Sequence, residues 1–216
     1  MEITLVVLGI IALLLVVSAF FAGSETALTA VSRARMYQLE REGNQRAGTV
    51  NRLTSDRERL IGALLLGNTF VNILASALAT DFLASRYGTT AVAITTFAMT
   101  AIVLVFAEVL PKTLAIARTD RFALAVAPVA HIVVAVLAPI VGAVQNLVWG
   151  LLSLFGIYQK GLEPIVEPHE EIRGTVDLHH AEGAVEREHR DMLGGVLDLR
   201  ELTVADVMIH RKNIAM

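Results

Sequence analysis

The sequence predicts an all-α membrane protein with three transmembrane helices, short cytoplasmic helices, a juxtamembrane helix and an acidic cytoplasmic helical bundle. Two observations carry this prediction. The 216 residues are 55% hydrophobic with a mean hydropathy of +0.61, which is too apolar for one ordinary soluble domain. The apolar residues also fall in three runs of about twenty, the length that crosses the hydrocarbon core of a bilayer.

Charge and composition argue against several classes of function. Residues 1–157 hold eleven Lys/Arg and nine Asp/Glu, whereas residues 158–216 hold seven and twelve, so the C-terminal part is acidic and mostly polar. The absence of cysteine excludes disulfides and thiolate metal sites. The basic residues are dispersed without aromatic platforms, so no nucleic-acid partner is predicted. No nucleophile–base pair, metalloprotease helix or phosphate loop is present in the sequence, so an enzyme is not predicted.

The first apolar run and the basic region after it set the topology. Residues 3–22 are long enough to cross a bilayer, and Glu2 stands where a secretory signal would carry positive charge, so we predict a retained span. An amphipathic helix is predicted over 27–42, with Gly43-Asn44 as its stop signal, followed by a shorter helix over 48–59. Seven arginines fall within 33–59, an excess that is typical of cytoplasmic loops.

Two further spans are predicted over 60–84 and 90–110. The short turn between them holds one arginine, whereas three basic residues follow the third span within 112–121. Basic residues therefore concentrate on one side of the membrane. This bias orients the N-terminus outside and the C-terminus in the cytoplasm.

The segment 122–157 and the acidic region after it are the least regular parts of the pattern. We interpret 122–157, which contains two prolines, as a helix or broken hairpin along the inner interface, although its composition also allows one or two crossings. The chain is polar from residue 161, and its clearest helix is predicted over 184–199, with aliphatic residues on one face. The stretch 202–208 resembles the opening of a further domain, so we expect the chain to be part of a longer protein.

One carboxylate inside a predicted span gives the first functional hypothesis. Glu108 lies at the inner end of span three, where a charged side chain is costly and marks a functional site by default. Pro111 has no N–H, so the carbonyl of Ala107, four residues back, is expected to lack its helical partner. A carboxylate beside a free carbonyl offers the hard oxygen ligands that Mg²⁺, Ca²⁺ or Na⁺ prefers. The alternative is a proline kink with a glutamate that snorkels to the interface.

Polar residues of the other two spans are predicted at a similar depth. Ser18 and Ser24 lie at the inner end of span one, and Asn68 and Asn72, four residues apart, share one face of span two. With Glu108 they would supply one carboxylate and several neutral oxygens, a set that suits Mg²⁺ or Na⁺ better than zinc or copper. Each also has a structural alternative, because such asparagines often bond neighbouring helices and serines bond back to their own helix.

Three motifs that contain these residues resemble a known family. They are Ser18-Ala-Phe-Phe-Ala-Gly-Ser-Glu-Thr-Ala27, Gly67-Asn-Thr-Phe-Val-Asn72 and Ala107-Glu-Val-Leu-Pro-Lys112. In this order and spacing, the chain resembles the CNNM/CorB/CorC family of magnesium transporters through its membrane domain, DUF21. The sequence departs from the family at Ala22, where many relatives have serine, and at Ala107, where many have glycine.

The resemblance implies an architecture and its boundaries. A DUF21 transmembrane domain with a juxtamembrane helix would cover 1–160, an acidic cytoplasmic helical region 161–200, and the start of a truncated CBS domain 201–216. The protein would be a multi-pass homodimer of the bacterial inner (plasma) membrane, surrounded by the lipid bilayer. The nucleotide site of the family belongs to the CBS pair, so no ATP binding is expected of this chain.

The resemblance also implies an activity, the export of Mg²⁺ coupled to Na⁺ entry. One dehydrated or partly hydrated Mg²⁺ would bind between the three spans. The residues that match the family's ion site are Ser18, Ser24, Asn68, Asn72, Ala107 and Glu108. The residues alone leave open the direction of transport and whether Na⁺ or H⁺ drives it. They also leave open a membrane Mg²⁺ sensor that regulates another channel without transport of its own.

Overall fold

The structure is a computed structural model that describes residues 2–88, 90–154 and 168–199, together with 203 and 208. The described residues form helices and no strand, which confirms the predicted all-α class. The chain divides into two compact units, Met1–Phe155 and Gly156–Met216. The domain ranges given above stay predictions, and nearly all of 201–216 lies outside the described residues.

The first unit contains the predicted spans and the helices between them. Its helices are α1 (Glu2–Ala30), α2 (Arg33–Arg41), α3 (Gln45–Ser55), α4 (Arg57–Tyr87), α5 (Thr90–Ile102), a π-helical segment (Val103–Val109), α6 (Leu110–Ala117) and α7 (Thr119–Leu154).

The boundary after the first span differs from the prediction. α1 continues through the polar residues 24–26 to Ala30, so the predicted helix over 27–42 is wrong at its start. The chain breaks instead at Ser32, whose hydroxyl accepts a bond from the Arg35 N–H at 3.4 Å and caps α2. The stop after α2 falls as predicted, since Gly43 adopts φ +93, a conformation that favours glycine.

The short helices α2 and α3 pack on each other, and α3 packs on α7. Asn44 caps α3 by accepting bonds from the N–H groups of Arg46 and Ala47. An ion pair of 2.7 Å joins Arg35 to Asp120 of α7, and the Arg33 guanidinium donates to the Thr54 carbonyl. Two arginines of the basic region therefore hold the helices together.

The third span is longer and less regular than predicted. It does not end at Leu110 but continues as α6 to Ala117, so the proline lies inside the span. The seven residues before α6 form a π-helix, and the Leu110 N–H bonds the Val105 carbonyl, five residues back. The connection from α4 to α5 is short, with Gly88 at φ +77.

The segment predicted as a juxtamembrane helix or broken hairpin is one continuous helix of 36 residues. α7 contains both Pro128 and Pro139 and is not broken by them, so the hairpin is wrong. Four described helices, one more than the predicted three, are long and apolar enough to cross a membrane. α7 is about 54 Å long, which is more than the roughly 30 Å of the hydrocarbon core. This length fits both a crossing and a helix along the inner interface, so the predicted interfacial position stays a prediction.

The first helix is the centre of the unit. α1 packs on α4, α6, α7 and the π segment, and α4 packs on α5 and α7. Small residues permit close contact: a Cβ on Gly67 of α4 would lie 2.5 Å from the Phe21 ring of α1. A Cβ on Gly23 would lie 2.8 Å from the Phe122 ring. The two glycines thus fix the approach of α1 to α4 on one side and to α7 on the other.

The second unit contains a helical hairpin. α8 (Pro168–Ala181) and α9 (Arg187–Asp198) pack together, with an ion pair of 2.8 Å between Arg173 and Asp198. A helix is found where 184–199 was predicted, although it begins later. Its predicted apolar face is not buried within the described residues: Leu193, Val196 and Leu199 are exposed and Leu197 is half-buried.

Candidate ion-binding site

A buried cluster of oxygens joins α1 to α4. Ser18 is fully buried and Asn68 is 6% exposed. The Ser18 Oγ lies 2.7 Å from Asn68 Oδ1 and 2.6 Å from Asn72 Oδ1. The close helix contact at Gly67 places the two asparagines against Ser18. The structure therefore brings together three of the residues predicted from the sequence.

The cluster joins one hydroxyl to two side-chain amides, so three oxygens meet between the helices. A serine hydroxyl has one proton, so Ser18 donates to one of the two amides at a time. The Asn72 amide also donates to Asn68 Oδ1, at 3.4 Å, so each of the three side chains is bonded to the other two. Such a set is neutral, buried and rich in hard oxygens, which is the chemistry that Mg²⁺ or Na⁺ prefers.

Ser24 lies on the same helix, nearly two turns further along the chain. Its hydroxyl is fully buried and has no hydrogen-bond partner among the described residues. A buried hydroxyl without a partner is uncommon and costly. The next residue, Glu25, lies 3.8 Å from the Lys112 ammonium, so this carboxylate is paired with α6.

The π segment carries the remaining predicted residues. Ala107 is fully buried and Glu108 is half-buried. Pro111 can donate neither to the Ala107 carbonyl, four residues back, nor to the Phe106 carbonyl, five residues back in the π register. The local irregularity predicted at the proline is present, but its form is a π-helix and not a simple kink. Such segments occur often at functional sites.

Glu108 opens into a groove between α4 and α5. The groove has a volume of about 300 Å³ and is lined by the hydroxyls of Ser76, Thr80, Thr96 and Thr100. The two threonine hydroxyls of α5 donate to carbonyls of their own helix, at 2.9 and 2.8 Å, which leaves their lone pairs available. The Glu108 carboxylate forms no hydrogen bond or ion pair with another described residue.

The predicted residues thus fall into two groups. No contact joins Glu108 to the cluster of Ser18, Asn68 and Asn72 in the part of the chain described. The groups are connected along α4, because Ser76 and Thr80 line both the Glu108 groove and a neighbouring groove that includes Asn72. The structure places the carboxylate and the neutral cluster on adjacent faces of one bundle.

The hydroxyls that line the Glu108 groove were not predicted from the sequence as possible ligands. The spacing of these residues along the chain indicates that they share helix faces. Asn68, Asn72, Ser76 and Thr80 are each four residues apart and share one face of α4. Thr96, Thr100 and Glu108 follow the same period on the third span, so two polar stripes face each other across the groove.

These features define a class of protein: an all-α, multi-pass membrane protein with an oxygen-rich interior and, on a π-helical segment, a carboxylate that no other described residue pairs with. The comparison with protein families agrees with this class. Residues 9–189 match the family model described as the cyclin M transmembrane N-terminal domain, CNNM. The chain belongs to the CNNM family, as the three sequence motifs indicated.

Curated relatives carry the same domain. The chain is 38% identical over 205 residues to the UPF0053 inner membrane protein YfjD of Escherichia coli, covering 92% of this chain and 46% of that protein. A UPF0053 protein of Haemophilus influenzae is 31% identical over 95% of this chain and 48% of its own length. A chloroplastic DUF21 domain-containing protein of Arabidopsis thaliana is 32% identical over 92% of this chain. The chain therefore spans about half the length of the bacterial relatives.

Proposed function

We propose that this chain is the membrane domain of a Mg²⁺ transporter and that its two groups of polar residues bind one ion during transport. The convergence of the Ser18, Asn68 and Asn72 oxygens between α1 and α4 is the observation that carries the proposal. In this proposal the three oxygens hold the cation as hard, neutral ligands. Neutral oxygens of this kind bind an ion without trapping it.

Glu108 supplies the charge in this proposal. A divalent ion in a low-dielectric site needs a negative ligand, and Glu108 is the half-buried carboxylate of the bundle without an ion-pair partner among the described residues. The other carboxylate near the inner end of α1, Glu25, is already paired with Lys112. One negative ligand also limits affinity, and release of the ion requires that affinity be limited.

The π segment offers a means of moving the carboxylate. A π turn holds one more residue than an α turn, so a change of this segment to the α register would rotate Glu108 by about 100° about the helix axis. Pro111 keeps the cost of that change small, since the carbonyls before it have no N–H partner at position 111 in either register. We propose that this change moves Glu108 between the groove and the Ser18 cluster.

The setting of the transporter is also proposed. The inner-membrane location named for the Escherichia coli relative and the four apolar helices support a bacterial inner (plasma) membrane protein. We expect its N-terminus outside and its C-terminus in the cytoplasm, a homodimeric state, and export of Mg²⁺ driven by Na⁺ entry. These properties come from the resemblance and from the distribution of arginines.

Mg²⁺ flux into liposomes tests the proposal. The full protein is reconstituted as wild type and as Glu108→Gln, which keeps the side-chain size and removes the charge. We expect the flux to fall at least tenfold in the variant. Glu58→Gln is the matched control and should keep the wild-type flux, because Glu58 is an exposed carboxylate in the first turn of α4 and lines neither the Glu108 groove nor the groove that includes Asn72.

Two results would contradict the proposal. Equal flux in wild type and Glu108→Gln would remove the role of this carboxylate. Absence of flux in the wild type, with Mg²⁺ binding retained, would favour the alternative of a sensor that regulates another channel. Among the described residues of the acidic unit, no group of three or more His, Asp or Glu side chains forms a candidate metal site.

A further inference from the structure

A second groove lies where the basic region meets the bundle. It is formed by the end of α3, the start of α4 and the middle of α7, and its volume is about 390 Å³. Arg52, Arg59 and His131 line its polar part. Val134 and Ala138 of α7 line its apolar part, and with His131 they share one face of that helix. The groove therefore joins cationic groups to an apolar wall.

The groove carries a net positive charge. The Arg52 guanidinium is exposed and has no ion pair with another described residue. Arg59 lies 3.4 Å from Asp56, and both side chains are about half exposed. Two guanidinium groups thus face one carboxylate. By contrast, Arg33 and Arg35 of the same basic region are used in contacts between helices.

The groove also lies at a change from polar to apolar surface. Arg59 directly precedes Leu60, where the apolar part of α4 begins. Next to the groove, Ile132, Val136 and Ile140 of α7 are exposed, as expected of side chains that face lipid. A ligand that fills the whole groove needs an anionic group at one end and an apolar body at the other. Guanidinium groups bind phosphate oxygens in a bidentate manner.

We propose that this groove binds the headgroup of an anionic phospholipid, with Arg52 and Arg59 on the phosphate and the α7 wall against the acyl chains. A free phosphate would match the arginines but would leave the apolar wall unfilled. The proposal is independent of Mg²⁺ transport. It gives two of the seven arginines a second role, because Arg52 and Arg59 would select an anionic lipid as well as help to orient the chain.

Lipid titration of the purified, delipidated protein in a non-ionic detergent tests the proposal. Phosphatidylglycerol and phosphatidylcholine with identical acyl chains are added, and the bound lipid is counted by native mass spectrometry. We expect tighter binding of phosphatidylglycerol. Arg52→Gln and Arg59→Gln should each weaken that binding about fivefold, since a basic residue near a membrane contributes on the order of 1 kcal/mol.

Three controls make the result decisive. Arg46→Gln removes the same charge from the other end of α3, outside the groove, and should change phosphatidylglycerol binding less than twofold. Arg52→Lys should bind phosphatidylglycerol more tightly than Arg52→Gln but less tightly than wild type, because it keeps the charge and loses the bidentate geometry. Glycerol phosphate, a soluble headgroup, should not displace the lipid at equal concentration. Equal losses in Arg52→Gln and Arg46→Gln, or displacement by glycerol phosphate, would overturn the proposal.

Discussion

Two polar regions of the bundle differ in burial and in hydrogen bonding. One is the contact between α1 and α4, and the other is the groove between α4 and the third span. At the first, Ser18 and Asn68 are buried, Asn72 is half-buried, all three are hydrogen-bonded, and regular helices meet closely at Gly67. At the second, Glu108 is half-buried and unpaired within the described residues, and its backbone is π-helical. The first is preorganised, whereas the second is free to change.

This difference suggests a division of labour in ion binding. A hydrogen-bonded neutral cluster holds its geometry and contributes selectivity for a hard cation. A carboxylate without a side-chain partner among the described residues, on an irregular segment, contributes charge and can move without breaking a side-chain hydrogen bond or ion pair. A transporter needs both properties, because a site that is rigid and charged throughout would bind its ion without releasing it. The following predictions test each side of the comparison separately.

The largest effect on stability is expected at the close contact beside the cluster. In Gly67→Ala the new Cβ would lie 2.5 Å from the buried Phe21 ring, so we expect a loss of about 1–3 kcal/mol in unfolding free energy. Gly142→Ala is the control, since a Cβ on Gly142 of α7 meets nothing within 4 Å. That variant should gain about 0.5–1 kcal/mol from helix propensity.

Thermal unfolding in detergent measures both glycine variants. Opposite shifts in melting temperature are the expected result. If both variants are stabilised, the helices do not meet closely at Gly67, and the cluster is not held as described.

A smaller effect of opposite sign is expected at Ser24. Its buried hydroxyl has no partner among the described residues, so Ser24→Ala should raise the unfolding free energy by about 0.5–1 kcal/mol. If Ser24 is a ligand during transport, the same variant should lower Mg²⁺ flux several-fold. Ser85→Ala serves as control, because the Ser85 hydroxyl is exposed and bonds the Phe82 carbonyl. A more stable variant with unchanged flux would remove Ser24 from the site.

Much of the fold followed from the sequence because its determinants are local. Apolar runs identified the spans, and Gly43 marked the end of α2. The grouping of Ser18 with Asn68 and Asn72 also followed, since residues four apart share a face and three spans at one depth must pack together. The seven arginines marked a polar region between the spans, and α2 and α3 lie there.

The remaining features depend on packing that no local pattern records. Pro128 and Pro139 suggested a broken segment, yet α7 is continuous and packs on α1, α3 and α4. Pro111 predicted an irregular helix but not its π register, and this segment also packs on α1, which lies far from it in the sequence. The hydroxyls around Glu108 were missed because single threonines in a span are common, and only their opposition across a groove distinguishes them.

A double-mutant cycle on Mg²⁺ affinity tests most directly whether the two regions bind one ion. Binding is measured for wild type, Ser18→Ala, Glu108→Gln and the double variant. If both regions hold the same ion, the Ser18 substitution matters little once Glu108 is neutral, and the coupling energy is at least about 1 kcal/mol. Effects that add to within about 0.5 kcal/mol would show two independent regions and contradict the account.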